Sequence, residues 1–271
     1  MKKLIALFFI ALGIFIARGY GQELYVYSEP ASNMATNAVG IRLNNYALLQ
    51  RTPKATAYML APEVMFGVSK KLMVHAEGYF SNMQAKFEAN GASVYGKYRL
   101  YSQDEIHNHF RIAMYGMLSR NNLPVTQKAI DLYGRNSGYL IGVVATKLIN
   151  RVAYSAGTSV VHASDNARGN KFNNDGERNA INYNLSVGGL LLPKEYIDYK
   201  QTNVNLMAEL LGQTNLQKGT SFLDLAPSVQ FIFKSRMRLD LGYRFTLKEQ
   251  LNREYGTSFL VRFEYNLFNV F

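Results

Sequence analysis

The clearest candidate for covalent chemistry in this sequence is a histidine two residues before a serine, His162-Ala163-Ser164. In an extended chain, side chains alternate between two faces, so His162 and Ser164 share a face. A histidine beside a serine can act as the general base that activates the hydroxyl as a nucleophile. The sequence does not identify a third residue that would orient the histidine. A histidine at an aqueous interface is the competing, non-catalytic interpretation.

A second candidate is a pair of glutamates facing each other across a hairpin. The polar run 69–71 predicts a tight turn, and the register it sets places Glu63 opposite Glu77, with His75 on the same face. Two carboxylates side by side near an imidazole could bind a cation or share a proton. The alternative we favour is ion pairing with basic residues of the two neighbouring strands. These residues are Arg42, Lys97 and Arg99.

Strands must position these residues, because apolar and polar residues alternate with period two from Ala38 onward. After the first 21 residues no apolar run approaches the roughly 18 residues expected of a transmembrane helix. Pro62 removes a backbone donor and predicts a local irregularity in its strand. The pattern predicts twelve strands: Ala38–Gln50, Ala57–Val68, Leu72–Phe80, Ala92–Ser102, His109–Ser119, Ser137–Leu148, Val152–His162, Ala180–Leu192, Thr202–Gly212, Phe222–Lys234, Met237–Leu247 and Thr257–Phe271.

Assigning the apolar face of every strand to lipid leaves a polar inner face that carries seven basic and six acidic residues. They are Arg42, Glu63, Glu77, Lys97, Arg99, Arg111, Glu209, Asp224, Arg238, Asp240, Arg244, Arg262 and Glu264, with His75 beside them. Because buried charges must be paired, a near-balanced set favours an internal ion-pair network in a narrow or partly filled lumen. A selective polar channel lined by both signs is the functional alternative.

The first residues have the features of an export signal. Lys2 and Lys3 precede an uncharged apolar run, Leu4–Ala17, and we place cleavage after Gly21. Residues 1–21 are therefore predicted to be a signal peptide, 22–37 a periplasmic stretch that could lie in the lumen, and 38–271 the barrel. The net charge of +11 falls to +8 without the leader, since it contains three basic residues. The basic residues of the remaining chain are dispersed along the sequence, which argues against nucleic acid as a partner.

The final stretch, Phe259–Phe271, alternates apolar and polar residues and ends the chain on an aromatic residue. It resembles the closing strand of a bacterial outer-membrane β-barrel, in which the terminal aromatic, here Phe271, is read by the barrel-assembly machinery. Long and short connections also alternate, apart from the first outward loop and Pro193–Gln201, as in such barrels. The resemblance implies an all-β, twelve-stranded, antiparallel up-and-down barrel in the outer membrane, in contact with its lipid. Gln22 and the Tyr- and Asn-rich strands resemble those of the Bacteroidota.

The leading functional hypothesis is a non-enzymatic, porin-like or transporter-like channel for a small polar solute, with no cofactor and no metal. One alternative is a lipid hydrolase, because His162 and Ser164 resemble the catalytic pair of outer-membrane phospholipase A and of the lipid A deacylase barrel. That resemblance implies attack on an acyl ester at the outer rim of the barrel. In the phospholipase an asparagine directly follows the serine, whereas Asp165 stands there in this chain. Another alternative is a structural or assembly barrel with a filled lumen.

Overall fold

The structure, a computed structural model, describes residues 25–50, 55–105, 108–172, 177–193 and 201–271. The predicted signal peptide lies outside the described residues. Twelve antiparallel strands form one closed barrel, in which each strand pairs with the next and β1 pairs with β12. The predicted fold class is therefore confirmed. The strands are β1 Val39–Gln50, β2 Ala55–Gly67, β3 Leu72–Gln84, β4 Lys86–Glu105, β5 Asn108–Asn121, β6 Ser137–Ile149, β7 Val152–Ser164, β8 Asn179–Leu192, β9 Asn203–Asn215, β10 Ser221–Phe233, β11 Met237–Glu249 and β12 Tyr255–Leu267.

The alternation in the sequence matches the two faces of the barrel wall. Large apolar side chains such as Leu118, Ile141 and Phe263 are exposed on the outer face, while the fully buried Glu209 and Asp224 lie on the inner face. This is the reverse of a soluble barrel, in which the outer surface is polar. Closure leaves no unpaired strand edge, as a wall in contact with hydrocarbon requires. None of the described residues forms a helix long and apolar enough to cross a bilayer.

Three details of the strands differ from the sequence pattern or refine it. The predicted end of the third strand at Phe80 and start of the fourth at Ala92 are wrong, because β3 and β4 continue through residues 81–91 and are joined by Ala85 alone, at φ 67°. The last strand ends at Leu267 rather than at Phe271. At Pro62 the pairing with β1 is regular, but the pairing with β3 is interrupted between Leu60 and Glu63. The predicted irregularity at Pro62 therefore falls on the β3 side.

The two ends of the barrel differ in their connections. At one end, here called the terminal end, lie the start of β1, the end of β12 and short turns such as residues 150–151 and 234–236. The other end, here called the loop end, carries the long connection 122–136. The backbone N–H and carbonyl groups of Ile130 in this connection contact Gln213 on the inner face of β9. Gly134 in this loop has φ +87°, and a Cβ there would lie 3.2 Å from Tyr79. The loop therefore folds back into the barrel.

Residues 25–37, called the N-terminal segment, also lie inside the barrel. Ala31 donates its backbone N–H to Thr146 on β6, at 2.9 Å, and Asn37 donates to the carbonyl of Gly67 on β2, at 2.8 Å. A Cβ at Gly67 would lie 1.9 Å from the carbonyl oxygen of Ala35, so this close approach requires glycine. The segment thus crosses the interior from β9 to β2, where the strand pattern alone predicts only side chains.

Candidate functional site: two chambers separated by the N-terminal segment

A single buried carboxylate on the barrel wall holds the first part of the N-terminal segment. Glu209 on β9 accepts hydrogen bonds from the successive backbone N–H groups of Val26, Tyr27 and Ser28, at 2.9, 2.8 and 2.8 Å. The Ser28 hydroxyl adds a fourth bond, at 2.6 Å. The described salt bridges include no basic partner for Glu209, so these donors compensate its charge. The arrangement resembles a backbone anion nest, with the anion supplied by the wall.

The next part of the segment carries its own carboxylate to the opposite wall. Glu29 lies 3.2 Å from the Arg42 guanidinium on β1 and 3.4 Å from the Lys97 ammonium on β4. Lys97 is fully buried and also donates a 2.6 Å hydrogen bond to the carbonyl oxygen of Pro30. Residues 26–30 of the segment are therefore held at two places on the wall by charge-assisted hydrogen bonds, which are stronger than neutral ones.

Arg42 is the centre of an ion-pair network on the inner wall. Besides Glu29, it contacts Glu63 on β2 at 2.9 Å and Glu264 on β12 at 2.8 Å. Glu264 in turn lies 2.8 Å from Arg238 on β11, and Asp240 extends the network towards Arg262 at 3.6 Å. All these side chains are buried except Glu29, which is 31% exposed.

The two glutamates of the β2–β3 hairpin face each other in the pairing register, as predicted, but they have different partners. Glu63 binds Arg42 and lies 2.6 Å from Nδ1 of His75. Glu77 accepts hydrogen bonds from Asn44 and Tyr79, both at 2.9 Å. Ion pairing thus describes Glu63, whereas neutral donors satisfy Glu77. Lys97 and Arg99, proposed as alternative partners, point elsewhere: Lys97 contacts the N-terminal segment and Arg99 the carbonyl of Lys70 at the terminal rim.

A second network lies closer to the loop end. Asp224 on β10 is fully buried and accepts two hydrogen bonds from Arg253, at 2.6 and 2.8 Å, and one from Arg244, at 2.7 Å. Arg253 belongs to the β11–β12 loop and also contacts Glu249 at 3.2 Å. Although burial disfavours its charged form, Asp224 and Glu249 hold the pKa of Arg253 above its ordinary value. This network ties the loop to the inner wall.

The long loop 122–136 narrows the barrel at the same level. Gln213 on β9 accepts from the Ile130 N–H at 2.9 Å and donates to the Ile130 carbonyl at 2.8 Å. Arg135 pairs with Glu254 of the β11–β12 loop, so the two loops contact each other. Desolvation by the surrounding protein raises the pKa of Asp131 in this loop. The loop end is thus partly closed by loop residues, while the N-terminal segment fills the middle.

Among the described residues, one cavity lies on each side of the N-terminal segment. The loop-side chamber, of about 340 Å³, is lined by polar and aromatic residues that include Tyr46, Tyr133 and Arg262. The terminal-side chamber, of about 420 Å³, opens among the turns at the terminal end. Glu29 and Arg42 line both chambers. The contact between these two residues therefore lies at the boundary of the two spaces.

The two chambers differ in charge. The terminal-side chamber is lined by four arginines and two glutamates: Arg42, Arg111, Arg236, Arg238, Glu29 and Glu264. The loop-side chamber is more evenly balanced, with five arginines and four acidic residues: Arg42, Arg135, Arg244, Arg253, Arg262, Glu29, Glu63, Glu77 and Asp131. Among the lining residues alone, the terminal-side chamber has two more arginines than glutamates, while Arg111 and Arg238 also pair with Asp104 and Asp240 behind the lining.

The structure brings most of the predicted inner residues into these networks and adds others. Arg111 contacts Asp104 at 2.6 Å and Ser32 of the N-terminal segment at 2.8 Å, near the terminal end. The residues that strand periodicity did not identify are Glu29, Arg135 and Arg253, which come from the segment and the loops. The local sequence around these three residues shows only a charged residue within a polar connection. Because that pattern is common in solvent-exposed loops, it does not predict an inward position.

The His162–Ser164 pair lies on the outer face of β7 at the loop end, away from both chambers. Nδ1 of His162 lies 2.8 Å from Oδ1 of Asn179, its register partner on β8. The imidazole also stacks on Tyr139, with ring centroids 5.2 Å apart. No hydrogen bond between His162 and Ser164 is present in this described region. The histidine thus has the orienting amide that the sequence did not identify.

No protein-family model matches the sequence, and no curated protein matches it either. Among solved structures, the barrel is similar to an outer membrane channel from Pseudomonas putida F1, with a TM-score of 0.57 and 10% identity over 90% of this chain and 100% of that chain. The NanC porin aligns with a TM-score of 0.48 and 11% identity over 85% of this chain and 98% of that chain. At this level of identity the first similarity shows a shared fold.

Proposed function

We propose that the protein is a channel of the bacterial outer membrane for small polar solutes. The observation that carries this proposal is a closed barrel with an apolar outer face whose charged interior holds two cavities in line, one towards each end. An apolar outer face suits a bilayer, and a polar interior suits a hydrated path. The solved structures of similar fold include an outer membrane channel, which supports this function. The terminal end would face the periplasm.

The dimensions of the interior limit the solute to a small molecule. Chambers of about 340 and 420 Å³ are at the lower end of the range of about 300–1,000 Å³ typical of small-molecule sites. Both signs of charge and many tyrosines line the loop-side chamber, so a polar solute would find hydrogen-bond partners there. Passage requires the N-terminal segment to move, because it lies between the two chambers.

Purified protein in planar bilayers is expected to produce discrete current steps in potassium chloride, with closed periods while the N-terminal segment is in place. The open steps should be small, since loop 122–136 narrows the lumen. Detergent alone and heat-unfolded protein serve as controls. Currents indistinguishable from these controls at both polarities, from protein shown by circular dichroism to be folded, would rule out a channel.

A second candidate function, acyl ester hydrolysis at the outer rim, is favoured by one specific observation: the 2.8 Å contact between Asn179 and His162. If Asn179 Oδ1 accepts from the Nδ1–H group of His162, Nε2 keeps its lone pair and can take a proton from Ser164. The serine oxygen would then attack the acyl carbon of a lipid ester, and the alcohol would leave with the proton returned by His162. Water, deprotonated by His162, would next attack the acyl-serine, and the fatty acid would leave as the proton returns to the serine oxygen. The pair faces the side on which lipid would lie.

Ser164→Ala decides between the two interpretations of this pair. If the protein is a hydrolase, folded protein in mixed micelles should release fatty acid from phospholipid, and Ser164→Ala should slow release by at least about a thousandfold. Thr158→Ala, exposed on the same face of β7, is the matched control and should leave the rate unchanged. Equal rates of fatty acid release by both variants, or no release by the unaltered protein, would show that His162 and Ser164 have no catalytic role.

A further inference from the structure

We infer that the N-terminal segment is an internal blocking ligand, and that Glu29 occupies a site where Arg42 and Lys97 bind the carboxylate of a small anionic solute. This inference rests on the proposed channel function and specifies its solute class and its gate. While the segment blocks the lumen, the Glu29 carboxylate occupies the position that the carboxylate of the solute would take. When the segment leaves, the site becomes available and the two chambers join.

The position of Glu29 is the first support for this inference. Its side chain borders both chambers and is 31% exposed, whereas Arg42 and Lys97 are 8% and 0% exposed. A solute crossing from one chamber to the other must pass the place that this carboxylate occupies. The anionic group lies at the passage, and the cations lie in the wall.

The wall holds Arg42 in place independently of the segment. Its contacts with Glu63 and Glu264 come from the neighbouring strands, so the guanidinium would keep its position after Glu29 leaves. Lys97 is buried on β4, where an ammonium group needs an anion or other strong acceptors nearby because desolvation is costly. Exchange of one carboxylate for another preserves that compensation, so an incoming carboxylate is a better replacement than a neutral solute.

The charge of the terminal-side chamber points to the same class of solute. Four arginines and two glutamates line it, and one of the two glutamates is Glu29 itself. Displacement of the segment would therefore leave Glu264 facing Arg42, Arg111, Arg236 and Arg238 among these lining residues. A cleft with an excess of one sign of charge concentrates ions of the other sign. Asp104 and Asp240 already pair with Arg111 and Arg238 behind this lining, so the preference of the opened lumen for anions should come mainly from Arg42 and Lys97, which lose Glu29 when the segment leaves.

The attachment of the segment is compatible with reversible release. Its described polar contacts with the wall come from Glu209, Lys97, Arg42, Thr146 and Arg111, and water inside a hydrated lumen can replace them. Tyr25 and Val26 add an apolar contact with Met207 and Leu260. In the middle of the segment, Ala31 packs against Ala113 and Val144, so a small apolar contact accompanies the polar ones there.

A disulfide lock tests the gate directly, because the chain contains no cysteine. The hydroxyl oxygens of Ser28 in the segment and Ser186 on β8 are 2.9 Å apart, so Ser28→Cys combined with Ser186→Cys places two thiols within reach of each other. With the cross-link confirmed by mass spectrometry, we expect conductance in potassium chloride to rise at least about tenfold on reduction. Ser28→Cys alone, which removes the same hydrogen bond without allowing a cross-link, is the control and should not respond to the reductant.

The carboxylate site is tested by ion selectivity in the reduced double variant. In a potassium acetate gradient, the reversal potential should show preference for acetate over potassium, and Lys97→Gln should reduce that preference about tenfold. Lys71→Gln, in an exposed turn at the terminal end, is the matched control. In the otherwise unaltered chain, Glu29→Gln should increase the time spent open, because it removes the charge that binds the segment and leaves the two cations.

The outcomes separate this inference from the channel function. Conductance that does not respond to reduction of a confirmed cross-link overturns the gate and leaves the channel. Cation preference, or acetate preference unchanged by Lys97→Gln in folded protein, overturns the carboxylate site. If no variant conducts, including the reduced one, the channel function fails and the inference fails with it.

Discussion

Arg42→Met is expected to lower the free energy of unfolding by about 3–5 kcal/mol, the range found when one partner of a buried ion pair is removed. Methionine has a similar length and no charge, so the barrel would keep its packing. The substitution would leave Glu63 and Glu264 buried without the guanidinium group that lies 2.9 Å from Glu63 and 2.8 Å from Glu264. Glu29 would lose one of its two cations as well.

The measurement is urea-induced unfolding in detergent or lipid vesicles, followed by far-ultraviolet circular dichroism, because the chain contains no tryptophan. Arg99→Met is the matched control: Arg99 is also a strand arginine, but it lies at the terminal rim and contacts a backbone carbonyl. We expect its effect to stay below about 1 kcal/mol. A similar, small loss in both variants would mean that water already screens the Arg42 network.

Glu209→Ala is expected to release the N-terminal segment without unfolding the barrel. Glu209 accepts four hydrogen bonds from Val26, Tyr27 and Ser28, and hydrogen bonds to charged groups contribute about 1.5–3 kcal/mol each. These contributions are not additive, but a combined loss of about 2.8 kcal/mol already raises the released population about a hundredfold. The substitution removes the buried carboxylate itself, so no uncompensated charge remains in the wall, while the segment loses the acceptor of its four hydrogen bonds.

Maleimide labelling reports this release. Ala31→Cys places the single cysteine of the chain at a fully buried position of the segment. Its labelling rate should be slow in the parent and about a hundredfold faster with Glu209→Ala, with Glu209→Gln in between because the amide oxygen still accepts. Glu88→Ala, in a strand near the loop end, is the control. An equal labelling rate in all backgrounds would show that Glu209 does not hold the segment.

The wall of this protein could be predicted from the sequence because its cause is local. Each strand residue faces either lipid or the interior, and the alternation of Val261, Phe263 and Tyr265 with Arg262 and Glu264 records that choice directly. Twelve such alternations, an even number, then predict a closed barrel. The prediction was wrong at 81–91, where polar residues on both faces hide a strand. There the ladder of hydrogen bonds continues while the apolar pattern stops.

The His162–Ser164 pair also shows that local sequence predicts the face of a residue but not its partner on another strand. Spacing along one strand places His162 and Ser164 on one face, since the period of a strand is fixed by the backbone. The partner of His162, Asn179, follows a long connection and is brought opposite by the β7–β8 register. Spacing within one strand cannot specify that register.

The inner side chains mark the division most clearly. Strand phase determined that Arg42, Glu63, Lys97 and Glu209 point inwards, and the need to pair buried charges predicted a network. Only the tertiary structure decided the partners, because strands far apart in sequence meet across the lumen and because the N-terminal segment enters it. Glu29 and the amides of residues 26–28 have no strand pattern to reveal them. The sequence by itself determined the wall of the barrel, and three-dimensional packing decided what fills it.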